Sequence, residues 1–176
     1  MSAPMKTHTE YDFAALVEMH KVTSRAVTPR ETLRKKAFYL TWGSCALGIG
    51  SFFALDGNLL MGAMLLAGGV SLMVRYLFFF QLMAWGTSRN LTGAQKSGDY
   101  AFETYHIVAR QGKETARYSY EHCHSLLETE KRFYFVTQSG QCIALDKGAL
   151  EGGSPADLRA HLERKTGKTA LTVPVK

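Results

Sequence analysis

The sequence predicts an α+β membrane protein: a two-helix transmembrane hairpin followed by a small antiparallel β meander that a C-terminal helix closes. Three observations predict it. Ala37 to Leu55 is a run of 19 residues without a charge. Asp56-Gly57-Asn58 separates it from a second apolar stretch reaching Trp85, too short a break to hold a domain. From Asp99 onward, short aromatic and β-branched segments alternate with turn signals. The chain divides accordingly into an N-terminal strand and helix (1–28), the hairpin (29–85), a β domain (99–168) and a tail (169–176).

Lys6 to Tyr11 alternates weakly and reads as a short edge strand. Asp12 is placed to cap the helix that follows. Phe13, Leu16, Val17, His20, Ser24 and Val27 share one face of it. That face lies on the membrane surface or packs on the C-terminal domain, with His20 as a packed or interfacial histidine and not a ligand. Thr28-Pro29-Arg30-Glu31 reads as a capping box with proline at the first helical position, so the first membrane helix starts at Pro29.

The uncharged run covers about 29 Å as a helix, one hydrocarbon core. Lipid offers the backbone no partners, and a helix satisfies them internally. Arg75 interrupts the second stretch 16 residues past Leu59, roughly 24 Å along the axis. There a long side chain snorkels to the headgroups, with Tyr76 and Trp85 as interfacial aromatics. Arg30, Arg34, Lys35 and Lys36 precede the first helix, Arg89 follows the second, and the turn carries only Asp56. The positive-inside rule then places both termini in the cytoplasm of a multi-pass inner-membrane protein. Small residues four apart, Ser44/Gly48, Ala46/Gly50 and Ala63/Ala67/Ser71, mark the expected helix–helix contact, within the hairpin or between copies.

The formal charge of +6 is spread over both flanks of the hairpin, with no dense basic block interleaved with aromatics. This argues against a nucleic-acid face and for contact with anionic lipid headgroups. The first 36 residues are polar and resemble no cleavable signal. Three cysteines on the cytoplasmic side or in the span are expected to stay reduced.

Six segments beginning at Tyr100, Tyr105, Glu114, Cys123, Phe133 and Cys142 make the meander. Phe133 and Phe135 are expected in its core, with Tyr134 on an exposed face. Ser154 caps a helix with Pro155 at its first position, and Leu158 and Leu162 form its apolar face. The residues after Gly167 look loosely ordered. A meander of this length closed by one helix looks like a pleckstrin-homology-like fold.

The order of elements resembles the bacterial YcxB-like family. Tyr118-Ser-Tyr120, the stretch Leu127-Glu128 to Phe133-Tyr134-Phe135, and Ile143 to Lys147 carry the resemblance. The chain departs from it at Leu145-Asp146, where the family often has Ile-Pro, and keeps Lys147. The resemblance implies a membrane-anchored protein with no assigned activity and supplies no catalytic residue.

No phosphate loop, nucleophile elbow or paired-cysteine spacing is present, and the reading is of a protein that is not an enzyme and needs no cofactor. Glu121-His122-Cys123-His124 is the densest set of metal-ligating types; on a strand His122 and His124 share a face, half a site at most. The expected function is a membrane-anchored cytoplasmic interaction module whose β domain binds a partner, such as a protein, or sits on the inner leaflet. The alternatives are an oligomeric membrane assembly or small transport component, and a metal-binding protein through His122 and His124.

Overall fold

In the computed structural model residues 5–174 are described. The chain folds as β1 (Lys6–Glu10), α1 (Phe13–Ala26), α2 (Pro29–Leu55), α3 (Leu59–Leu77), α4 (Phe79–Asn90), then β2 (Ser97–Phe102), β3 (His106–Gln111), β4 (Glu114–Ser119), β5 (Cys123–Glu128), β6 (Arg132–Thr137), β7 (Cys142–Asp146), β8 (Leu150–Glu151), α5 (Pro155–Thr166) and β9 (Leu171–Thr172).

The meander divides. One sheet runs β4-β3-β2-β1-β8 and the other β7-β6-β5-β9. The division falls at a 3₁₀ turn, Tyr120–His122, which carries the chain from the end of β4 into the second sheet. β1 is not an edge strand: it pairs antiparallel with β2 in the register Lys6↔Ala101 to Glu10↔Ser97, and with β8 on its other side. Strands more than eighty residues apart in sequence are thus neighbours, and α1 to α4 form an insertion between them.

The alternation read in Lys6–Tyr11 gives that strand its second role. Thr7 and Thr9 face inward and are buried. The Thr7 hydroxyl donates to the Asp146 carbonyl at 2.6 Å, and the Asp146 amide donates to Thr9 Oγ1 at 3.1 Å. The Ala144 amide donates to the Tyr11 hydroxyl at 3.3 Å. Side chains of β1 therefore satisfy the outer edge of β7, an edge that otherwise needs water or another strand. They tie the two sheets together.

One core fills the space between the sheets and is closed by Leu158 and Leu162 of α5. A second covers the other face of β5–β7: Val22 of α1 packs with Leu127, Tyr134, Val136 and Ala144. The expected exposed face at Tyr134 is therefore absent, because α1 lies on it and Tyr134 is fully buried. Of the two places open to the amphipathic helix, α1 takes the β domain. The C-terminal residues are also ordered further than expected: β9 pairs in parallel with β5, and the Val173 amide donates to the Glu128 carbonyl at 2.8 Å.

Helix ends follow the capping residues with one exception. Asp12 accepts from the Ala15 amide at 2.6 Å, and Ser154 and Asp157 form a reciprocal capping box. Thr28 makes no side-chain cap, so Pro29 at the first position marks the start of α2 by itself.

Two helices, α2 and α3, are long and apolar enough to cross a membrane, with 27 and 19 residues. Gly57 turns between them with φ of 86°, a conformation that costs glycine nothing. The second apolar stretch is not one helix. It breaks at Phe78 and resumes as α4, which packs against α1.

Of the expected small residues Gly50 lies in the helix–helix contact, but the buried glycines follow a different spacing. Gly43 and Gly50 of α2, and Gly62 and Gly69 of α3, are buried, each pair seven residues apart. A Cβ on Gly50 would meet the Leu66 amide nitrogen at 2.9 Å, and one on Gly69 would meet Leu47. Gly48 has nothing near it. A seven-residue period keeps one line of contact along two helices that run side by side.

Candidate functional site

The described side chains form two polar constellations. The first joins α1 to the second sheet. Arg132 of β6 reaches the Glu18 carboxylate at 2.9 Å and Asp146 at 3.4 Å. Thr129 donates to the other Glu18 oxygen at 2.8 Å. Burial, with the Glu18 carboxylate close by, raises the Tyr134 hydroxyl far above its usual range. Beside this set, Lys147 donates to Glu128 at 2.6 Å and to the Thr129 carbonyl at 2.7 Å, with its ammonium 4.5 Å from the centre of the Phe133 ring. Arg159 of α5 reaches the second Glu128 oxygen at 3.3 Å. Each charge here has an oppositely charged partner within the fold, so the constellation fixes α1 and the strand ends; the buried Tyr134 hydroxyl makes no hydrogen bond among the described residues.

The second constellation is an open cleft of about 1030 Å³ between α5 and the β2–β3 turn. Asp157, Ala160, His161, Arg164 and Lys165 of α5 line one side, a face adjacent to the buried stripe of Leu158 and Leu162. Glu103 to His106 line the other, and Met5, Gly152 and Gly153 close one end. His161 is held in place: its Nε2 lies 3.3 Å from the Tyr120 hydroxyl, which donates to the Glu103 carbonyl at 3.2 Å. The Phe102 and Tyr120 rings meet its imidazole edge-on. Burial, then Arg164 and Lys165, lower the His161 pKa.

α1 and α4 meet at His20, whose Nε2 lies 3.0 Å from the Thr87 hydroxyl. That hydroxyl donates to the Met83 carbonyl, so the imidazole is the donor between them. Burial lowers the His20 pKa. An unfolded histidine titrates near about 6.5. As pH falls through that value the unfolded chain takes the proton first, so stability present above it is lost until the lower folded value is passed. His161 shifts in the same direction. Acidification from about pH 7.5 to about pH 5 is therefore expected to lower the thermal midpoint of the detergent-solubilised protein. His20→Gln should remove part of that slope and leave the His161 part. An unchanged slope in His20→Gln contradicts the assignment.

The flanking cations expected from the sequence occupy three settings. Arg30, Arg34 and Lys35 are exposed on the first turns of α2. Lys36 lies 4.4 Å from the centre of the Phe80 ring and Arg89 4.2 Å from that of Trp85, so α4 returns aromatic rings to both. Arg75 is exposed in the last turn of α3 and makes no ion pair among the described residues. Because Gly43 packs on Leu72 and Met73, Arg75 sits near the level of Leu40.

His122 and His124 do not share a strand face. His122 is in the 3₁₀ turn, and His124 falls where the β5–β6 register shifts between Cys123 and Ser125. Among the described residues no three His, Cys, Asp or Glu side chains converge as a metal site. Cys123 is buried and its thiol is pushed up to about 11 by burial. Burial pushes Cys142 up to about 11 as well.

The sequence reading did not find the cleft. The signal was present in the 157, 160, 161, 164, 165 spacing beside Leu158 and Leu162, but only the β2–β3 turn makes that face a wall.

Residues 102–162 match the YcxB-like protein family. The matched stretch runs from the end of β2 to Leu162 and contains most of the cleft and Lys147. A search of curated proteins finds no match.

Proposed function

We propose that this chain, which carries a YcxB-like domain, is a membrane-anchored interaction module: a hairpin crosses the bilayer and holds a partner-binding β domain at the cytoplasmic face. The observation that carries the reading is the insertion. β1 is an interior strand of the domain, and the chain leaves it for the hairpin and returns at β2. Both ends of an inserted hairpin must emerge on the side where the domain folds. With Arg30, Arg34, Lys35 and Lys36 at one end, Arg89 at the other and no cation in the turn, the positive-inside rule makes that side the cytoplasm. The same reading takes the domain as pleckstrin-homology-like, supported by two sheets, antiparallel except for the β5–β9 pair, with α5 packed over the opening between them.

The anchoring has two connections. α4 joins β2 through a short segment with a 3₁₀ turn at Gly93–Lys96, and α1, bound to α4 at His20, is bound to β6 at Glu18. Cys123 is buried and Cys142 half-buried, and their raised pKa values disfavour the reactive thiolates near neutral pH. A membrane-impermeant maleimide added to intact cells is therefore expected to label Asn58→Cys strongly and Lys113→Cys not at all. Labelling of Lys113→Cys with Asn58→Cys silent reverses the topology.

The module itself is tested by photocrosslinking in native membranes from a photoreactive residue at His124, exposed on β5. A discrete protein adduct is expected; adducts to lipid alone, with no protein adduct from Tyr105 on the β2–β3 turn either, overturn the reading.

A further inference from the structure

Three cations of the β domain lie in ion pairs among the described residues. Arg132, Lys147 and Arg159 each meet a carboxylate. Arg164 and Lys165 do not: neither makes an ion pair among the described residues, although both line the cleft. They lie three and four residues beyond His161, on the same side of α5, close enough to disfavour its charged form. Three groups that gain from an anion are thus gathered at one end of an open trough.

We propose that the cleft between α5 and the β2–β3 turn is a docking groove for a short acidic peptide segment of a partner protein, with its carboxylates at Arg164 and Lys165. The inference rests on the reading of the domain as an interaction module and names the chemistry of its partner.

Four features favour this occupant. The groove is charge-segregated. Asp157 stands two helical turns from Arg164 and is committed to the Ser154 cap, while Glu103 lines the opposite wall. Two acids in the lining disfavour a polyanion such as a nucleic acid, but leave room for a segment with carboxylates at one end. From 157 to 165 the α5 face covers about 12 Å, the span of about four extended residues. The Tyr105 side chain is 74% exposed at the rim, a large ring free to cover an apolar peptide side chain. The groove also sits at the far end of the first sheet: the hairpin attaches at Glu10 and Ser97, whereas Met5, Phe102 and His106 border the groove. That placement disfavours a lipid headgroup. The imidazole of His161, held by the Tyr120 hydroxyl and the edge-on Phe102 and Tyr120 rings, gives the groove a fixed floor, so little order is lost on binding.

The test uses the full chain in lipid nanodiscs and a fluorescein-labelled Glu-Glu-Phe-Glu-Glu peptide, with its Lys-for-Glu counterpart as control. Saturable binding of the acidic peptide alone is expected. Arg164→Glu with Lys165→Glu should weaken it about tenfold or more, through loss of two charge-assisted contacts. Tyr105→Ser should weaken it less, and neither variant touches a core residue. Equal binding by the charge-reversed variant, equal binding of both peptides, or binding of neither overturns the acidic-peptide assignment. Photocrosslinking from Tyr105 in native membranes separates the two levels. A protein adduct there, with the acidic peptide failing, leaves the module standing and removes its partner chemistry. Lipid adducts or none, from both Tyr105 and His124, remove both.

Discussion

Arg132→Ala is expected to lower the stability of the folded domain by about 3–5 kcal/mol, the range for removing one member of a buried ion pair. Arg132 and Glu18 are each 13% exposed at the side chain and meet at 2.9 Å. Without the guanidinium, the Glu18 carboxylate keeps one hydrogen bond, from Thr129, and stays under α1 with its charge uncompensated. Asp146, 27% exposed, loses the same partner but keeps contact with water. A domain stable by about 5–15 kcal/mol cannot absorb such a loss without visible melting. The readout is urea unfolding of the detergent-solubilised protein, followed by tyrosine fluorescence because both tryptophans lie on α2 and α4. The mechanism makes a second demand. If the damage comes from an orphaned carboxylate, Glu18→Leu with Arg132→Met restores most of the loss, since an apolar pair of similar volume leaves no charge behind. A double variant as unstable as the sum of its parts contradicts it.

The same pair shows where sequence reading stops. In sequence, Glu18 lies among the polar positions of α1 and Arg132 opens β6. Nothing local says that they meet, because the partner of α1 is fixed by the hairpin folding back, and that is a long-range event. Tyr134 fails for the same reason. Alternation in β6 correctly puts Phe133 and Phe135 on one side, but whether the other side is wet depends on a helix more than a hundred residues earlier. By contrast, the elements whose signals are local came through: the uncharged run of α2, the turn at Gly57, the caps at Asp12 and Ser154, and the six aromatic strands. β1 lies between these cases. Its pattern was visible, but its interior position depends on β2 and β8. The cleft was hidden because one wall is a helix face and the other a turn, and neither is a motif.

β1 explains why the hairpin and the domain are one folding unit. Thr7, Thr9 and Tyr11 hydrogen-bond the backbone of β7, so the second sheet is finished only when the first residues are in place. Those residues lie before the hairpin and their partners lie after it. Contacts of such sequence separation form late, since the intervening chain must close first. Helix packing in the hairpin shortens that loop, which brings the spacing of its glycines into the stability of the domain.

Gly62→Leu is therefore expected to damage more than the hairpin. A Cβ at residue 62 would lie 2.8 Å from the Ala54 amide nitrogen, 2.9 Å from its Cβ and 3.0 Å from its Cα. These are backbone atoms and the first atom of a side chain, so no rotamer change relieves the contact, and α2 and α3 must move apart near the turn. Overpacking costs about 1–3 kcal/mol where neighbours can adjust, and here the upper end is expected. For a chain of this size about 3 kcal/mol corresponds to about 6–12 °C in the melting midpoint. Gly62→Ala should show a smaller fall, because it adds the clashing atom without the rest of the side chain. Gly48→Leu is the control. Gly48 faces open space, so its substitution should leave the midpoint unchanged, while any self-association through the Ser44/Gly48 face would be lost with it. The experiment is a thermal scan in detergent with size-exclusion chromatography of each variant. A Gly62→Leu midpoint within a degree or so of the parent would mean that the helices are not in contact at Ala54. A lowered midpoint in Gly48→Leu, with Gly62→Leu unaffected, would place the contact on the four-residue spacing instead of the seven-residue one.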